Sequence, residues 1–600
     1  MNKILLAAAV SAALFTVQAN AAVVPPGYTS TQLPIDSVTG KPDFSTKGIQ
    51  HTSVVPLSNI LYTAGSSAAA KFFEASLLQL ANPGTAVYKY ASNTTADILT
   101  YIFQASSTSG LTSSQTYVVH YRNRDGSLLA PLLAAATTPD KATGVTFNNP
   151  VFIDKNIATV GCVTKTATTS TTVGLILCTG TVADSTATAL VVAPKTATGT
   201  STAVSSTLGL SDVDSAQFAS PLNGANAANL LADPKKGAAT FASTAIAAQV
   251  FGVAVNVRLR DAMQRAEIAS LVLPSSCTVG DETEACIPNL TSEQITSIFA
   301  DGRFNDWTNL SYASGSNLVT ANAGHVPGNT AVHICSRTAG SGTLATLQAK
   351  FENAPCTSAN EAKQMANSTT AVPQQTNVVG TELANAATKV FHSNVGSGDV
   401  DKCLNALDNS TTNAVSGIYD GTTATGTTIA ANATAVGYTG LTVTTSTNDD
   451  FRWAVGILNA NRNNDGKTGA YRFVKIDGYT PSLANTANGK YRFWSELSYI
   501  SKTVAAATPV NLLPAVLIAK MQDPAIIGAS STKVNLVNLN GYKSGYLGVA
   551  GTALSITTAF DDARPVMPFT HANKDNAIGS VNHCRAPAIL TGNKYLPGLN

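Results

Sequence analysis

Apolar positions along the chain fall into two spacings. Short apolar runs at Val54–Tyr62, Thr116–Tyr121, Val253–Val257 and Thr330–Cys335 read as buried strands. Apolar residues three and four apart mark helices: Phe72, Phe73, Leu77 and Leu78 within Ala68–Leu80, then Leu128–Ala135, then Ile295, Ile298 and Phe299. Leu344, Leu347 and Phe351 mark another, and Val510–Met521 a last one. Tyr471–Ile476 alternates as a strand does. Thr291 with Gln294 predicts a capping box, and Gly302 is placed to end that helix. The alternation of strands and helices predicts an α/β fold. No repeat period is evident, which argues against a solenoid or propeller.

Two stretches break this grammar. Residues 160–205 and 405–450 are rich in Thr and Ala, with Val and Ser in the first and Asn in the second. The first is expected to be a β-rich insertion closed as a hairpin, the second loops or another insertion. Residues 22–55 carry Pro25-Pro26-Gly27, Pro34 and Pro42 and read as an extended lead-in.

Composition narrows the function classes. Charged residues are 12% of the 600-residue chain and the formal net charge is +2, so nothing electrostatic points to nucleic acid or an anionic membrane. The start, Met1-Asn2-Lys3 followed by an apolar Ile4–Val17 and Ala19-Asn20-Ala21, reads as a signal peptide over residues 1–21 cleaved after Ala21. A periplasmic or extracellular location is expected. Eight Cys in an exported chain predict disulfides. Spacing suggests Cys162 with Cys178, Cys277 with Cys286, Cys335 with Cys356, and Cys403 with Cys584 across the chain. No Cys-x-x-Cys occurs and the seven His are scattered, so no metal or other cofactor is expected. No Gly-x-Ser-x-Gly elbow follows a convincing strand, and no enzymatic activity is expected.

The strongest chemical signal is the loop Arg337-Thr338-Ala339-Gly340-Ser341-Gly342-Thr343. Its glycines let backbone approach a ligand. Ser341 and Thr343 add hydroxyls at the start of a helix, whose N–H groups and dipole favour an anion. Arg337 can reach over the same spot. Ser67, Ser127 and Asp212 close other turns at strand ends; each by itself reads as an ordinary helix cap.

Taken together these motifs resemble the phosphate-binding proteins of phosphate-specific ABC importers, from about residue 60 to 500. The resemblance is carried by Ala64-Gly65-Ser66-Ser67-Ala68, Asp125-Gly126-Ser127-Leu128, Leu210-Ser211-Asp212 and Phe251–Asn256. Ile298–Gly302 with Asn305-Asp306-Trp307, and Arg337–Thr343, complete it. It implies a two-lobed class II periplasmic binding protein-like fold with β-rich insertions. Lobe one would span 56–256 plus 490–600, interrupted at about 160–205; lobe two would span 257–489, interrupted at about 405–450. Phosphate would sit between the lobes, held by Ser67, the Ala68 N–H and Ser127 on one side. Arg337, Ser341, the Gly342 N–H and Thr343 would hold it from the other, with Asp212 accepting the phosphate's proton. An importer permease would be the protein partner of a monomer. The alternative is a secreted surface or matrix protein on the same scaffold with altered or lost phosphate binding. The chain departs from the family pattern by its length, by Ser67 where Thr is usual, and by Ala68 where an aromatic is usual.

Overall fold

The computed structural model describes residues 59–91, 98–122, 126–128, 130–131, 152–153, 162–164, 173–179, 190–191, 208–219, 241–300, 304–312, 315–328, 330–337, 340–356, 389–394, 396–408, 451–462, 469–502, 512–549, 560–572 and 581–589. The expected signal peptide, the lead-in and residues 409–450 lie outside them.

Among the described residues, fifteen strands join in one mixed sheet. In chain order they are β1 (Ile60–Gly65), β2 (Ala86–Ala91), β3 (Ile98–Gln104), β4 (Thr116–Arg122), β5 (Cys162–Thr164), β6 (Gly174–Thr179), β7 (Leu208–Ser211) and β8 (Phe241–Asn256). Then follow β9 (His333–Arg337), β10 (Val390–Asn394), β11 (Ala454–Asn459), β12 (Tyr471–Phe473), β13 (Trp494–Lys502), β14 (Tyr546–Val549) and β15 (Val566–Met567). Twelve of them run β10-β9-β11-β8-β13-β7-β1-β4-β3-β2-β6-β5, while β12 and β14 pair with β8 and β15 pairs with β14. β1 lies parallel to both β4 and β7, and β9 lies parallel to both β10 and β11.

β8 joins the two halves. Its Phe241–Val250 portion pairs with β13 and its Phe251–Val255 portion with β11. Sequence pattern predicts only Val253–Val257 as strand, because Ala, Ser and Thr fill the first half. Pairing with β13 and β14 makes that half a strand regardless of its weak intrinsic preference, and Val257 instead opens a helix.

Each half has its own core. Leu61, Phe72, Phe73, Tyr101, Phe103 and Tyr121 form one, under helices α1 (Ala70–Leu78) and α6 (Leu512–Gln522). Val253, Met263, Ile298, Trp307, Leu347 and Trp453 belong to the other, with helices α2 (Val257–Ala269), α3 (Ser292–Phe299) and α4 (Gly342–Phe351). α5 (Ser397–Asp408) covers β9 and β11 from the second half. The result is an α/β architecture with two lobes. Residues 405–408, expected as loop, are helical in α5. The β5–β6 hairpin of the first insertion extends the sheet beyond β2, and its register sets Cys162 opposite Cys178.

Local signals explain α3. Thr291 Oγ1 accepts the Gln294 N–H at 3.2 Å, and Gln294 Oε1 accepts the Thr291 N–H at 2.9 Å. Gly302, expected to end this helix, lies outside the described residues. At the helix end the Lys389 ammonium donates to the carbonyls of Ser297, Ile298 and Ala300 at 2.7, 2.6 and 2.5 Å.

The disulfides correct two expected pairings. Cys277–Cys286 forms as spacing suggests. Cys335 joins Cys403, not Cys356, because α5 lies against β9. Cys356, just past the end of α4, joins Cys584 instead. Nearness in sequence favours short loops, but the packing of α5 and of the C-terminal segment decides which sulfurs meet.

Three buried carboxyls set an expected pH response. Burial pushes Glu267 and Glu352 up to about 8 and Asp408 up to about 7. A group raised above its unfolded value stabilises below that value and loses the contribution as pH rises through the folded value. His120 and His392, lowered to about 3 by burial, act the other way, with most of their loss below their ordinary range. The melting temperature is therefore expected to be lower at pH 8 than at pH 6.5. Thermal scans giving the opposite order would remove buried carboxyls as the controlling groups.

Candidate functional site

Parallel strands in an open sheet leave a crevice beyond their carboxyl ends where two halves meet. Here β1, β4 and β7 end in three turns on one side, and β9 ends in Arg337 on the other. Gly65 allows the first turn, with φ +138°; a Cβ there would lie 1.8 Å from the Leu210 carbonyl oxygen. Ser66 N–H donates to that same oxygen at 2.8 Å, tying the turn after β1 to β7.

Asp212 is the centre of the arrangement. It is 2% exposed and follows β7 directly. Ser66 Oγ donates to Asp212 Oδ1, and Thr343 Oγ1 to Oδ2 at 3.4 Å. Ser127 Oγ accepts the Asp212 N–H at 3.4 Å. Burial raises the Asp212 pKa, against the opposing pull of Ser66, Arg337, Ser127 and Thr343.

The loop after β9 closes directly on this wall. Gly340 accepts the Leu128 N–H at 2.9 Å. A Cβ on Gly342 would lie 2.5 Å from Ser127 Oγ and 2.7 Å from Asp212 Cβ. Gly126, at φ +88°, faces Gly340 in the same way, with 2.5 Å to its carbonyl oxygen. Glycine at 126 and 342 therefore lets two backbones meet, a role beyond the local flexibility of either turn.

Gly342 and Thr343 begin α4, so their N–H groups have no intrahelical acceptor. Ser341 is the N-cap, with its hydroxyl 3.4 Å from the Leu344 N–H. Arg337 is 3% exposed. Its Nη1 donates to Ser397 Oγ at 3.0 Å and its Nε to the Asn394 carbonyl at 3.3 Å. Burial lowers it to about 10, opposed by Asp212 and Asp399.

At the first turn it is the Ser66 hydroxyl that reaches Asp212. The Ala68 and Ala69 N–H groups donate to Ser66 Oγ at 3.1 and 3.3 Å, so Ala68 N–H serves the turn itself. Ser67 Oγ is buried without a hydrogen-bond partner. The Ser66-Ser67 doublet marked the turn; the Gly65 kink selects which hydroxyl faces Asp212. Ser397 and Asn394, which aim Arg337, carried no sequence signal. Ser127, Asp212, Gly342 and Thr343 come together, with Arg337 close enough for its charge to act on Asp212.

No family model and no curated protein matches the chain. Among solved structures, it is similar to one from Clostridium perfringens described as a phosphate ABC transporter substrate-binding protein with bound phosphate. The identity is 10%, the coverage 79% of this chain and 96% of that one, and the TM-score 0.32. It is also similar to an ABC-type phosphate transport receptor from Vibrio cholerae, at 13% identity, 55% and 76% coverage and TM-score 0.24. At these TM-scores the similarity carries no residue-by-residue correspondence.

Proposed function

We propose that this chain is an exported solute-binding protein that holds inorganic phosphate between its lobes, for uptake or sensing. In this reading lobe one is 56–256 with 490–600, and lobe two is 257–489. The observation that carries it is the meeting of Ser66, Ser127 and Asp212 with Gly342, Thr343 and the charge of Arg337. Ser67 Oγ, buried and unsatisfied, adds a hydroxyl to the same turn. Three disulfides among the described residues suit an oxidising compartment, periplasmic or extracellular.

The mechanism follows from these groups. The walls touch in the arrangement described, so admitting an anion requires the lobes to part, with bending at the β8 and β13 crossings. The donors that now satisfy Asp212 are the ones phosphate would take. Arg337, held by Ser397 and Asn394, offers a planar fork to two phosphate oxygens. Asp212 supplies selectivity. A buried carboxylate beside an anion is repulsive unless the anion carries a proton to donate. Phosphate near neutral pH does and sulfate does not, so sulfate leaves a buried acceptor unsatisfied at about 1–3 kcal/mol. An ABC importer permease is the partner this reading implies.

Calorimetric titration of ligand-stripped protein is expected to show saturable binding of phosphate and none of sulfate. Absence of heat with phosphate would sink the proposal. Asp212→Asn is expected to narrow the gap between the two anions, since its amide can donate to sulfate. An unchanged gap would leave Asp212 as a structural residue of the turn.

A further inference from the structure

On the far side of the Asp212–Asp214 turn lies a second cluster that the phosphate reading does not use. Glu496 in β13 is fully buried, with His571 and His583 beside it. Glu496 Oε2 is 2.7 Å from His571 Nδ1 and 3.2 Å from His583 Nε2. One ligand atom from each of the three lies within 4.8 Å of the other two. Nothing in the sequence spacing announces this trio. β13 contributes the Glu, the segment after Thr570 the first His, and the Cys356–Cys584 disulfide fastens the segment with the second.

Four features together suit a metal ion better than simple packing. First, the donor set of two imidazoles and a carboxylate is one zinc uses when it keeps a position open. Second, His583 Nδ1 is 2.9 Å from Asp214 Oδ2 and 3.1 Å from the Asp214 main-chain N–H, while Asp214 Oδ2 also accepts the His583 main-chain N–H at 2.8 Å. A carboxylate on the far ring nitrogen is the arrangement that orients a metal-binding His. Third, Glu496 Oε1 is held by the His571 N–H at 2.7 Å and Thr570 Oγ1 at 3.1 Å, leaving Oε2 for the cluster. Fourth, His571 and His583 stand in the wall of a cavity of about 730 Å³, which provides entry and room for a fourth ligand.

Charge points the same way. Asp214 and Glu496 bring two carboxylates to a buried place, and buried charges are paired or bind cations. Lys350 and Arg492 line the cavity and make no ion pair with either carboxylate among the described contacts. A divalent cation compensates both at once; the competing arrangement is a proton-held network in which the Glu496 N–H, 3.1 Å from His583 Nε2, keeps that nitrogen occupied. Tetrahedral coordination at about 2.1 Å spaces ligand atoms about 3.4 Å apart, so His571 and Glu496 need to part by less than about 1 Å.

We infer that Glu496, His571 and His583 form a binding site for a zinc-like divalent transition metal ion, with Asp214 positioning His583. The test uses the whole chain after chelator treatment and desalting. Added Zn²⁺ is expected to remain at one equivalent by elemental analysis and to raise the melting temperature. Co²⁺ is expected to give the visible absorption of a low-coordinate nitrogen–oxygen site. His571→Ala, with unchanged circular dichroism, is expected to lose both signals, and Asp214→Asn to weaken Zn²⁺ binding by about 10–100-fold. Absence of retained Zn²⁺ and of Co²⁺ bands in the unsubstituted chain would establish the proton-held network instead. So would full binding by His571→Ala. The Co²⁺ measurement decides even where a substituted chain does not fold.

Discussion

Arg337→Met is expected to weaken phosphate binding by about 150- to 5000-fold, the largest loss of any single change in the cleft. Methionine keeps most of the volume and the flexibility of the side chain, so the surrounding packing survives. What disappears is the charge that acts on Asp212, and the fork that Ser397 and Asn394 aim. Removing one partner of a desolvated charged contact costs about 3–5 kcal/mol, because the remaining charges stay buried without compensation. Arg337→Lys is expected to recover only part of the loss, since an ammonium cannot reproduce a planar pair of donors. Calorimetry on the three proteins reads this directly. Equal affinity across them would place phosphate elsewhere.

Gly342→Ala comes second, at about 10- to 100-fold. The added carbon would lie 2.5 Å from Ser127 Oγ and 2.7 Å from Asp212 Cβ. Both are across the crevice, in the lobe built on β1, β4 and β7. Gly342 begins α4, whose Leu344, Leu347 and Phe351 rest in the other core. The clash therefore arises only when the lobes meet, and the chain is expected to fold normally. Overpacking of this kind costs about 1–3 kcal/mol, taken here from closure. Its melting temperature without phosphate is expected to stay close to that of the parent, while the stabilisation by phosphate shrinks. A parent-like affinity would mean that the contact between Gly342 and Ser127 is not part of the bound state.

These two residues also show how far the sequence reads. Arg337 and Gly342 sit in one loop whose glycines, hydroxyls and charge raise the expectation of an anion site with no distant residue needed. The capping box of α3 and the strand–turn–helix order at β1 and β9 were legible for the same reason. Each depends on groups within a few residues of one another. Local rules failed where a distant element supplied the missing half. Ser66 meets Asp212, a contact no local rule foresees, because the Gly65 turn is pinned to Leu210, far along the chain. Cys335 pairs with Cys403 because α5 covers β9. The first half of β8 looks unlike a strand until β13 and β14 flank it.

The sequence by itself determined an α/β chain with short-range caps and turns, cysteines in number for disulfides, and a glycine- and hydroxyl-rich loop leading into a helix. Those properties follow from backbone periodicity and from donors a few residues apart, which any local stretch carries with it. Only the tertiary structure decided which turns face that loop, which sulfurs meet, and that His571, His583 and Glu496 converge beside Asp214. Such meetings depend on how a fifteen-stranded sheet orders strands that are remote in the chain, and spacing along the sequence holds no record of that order.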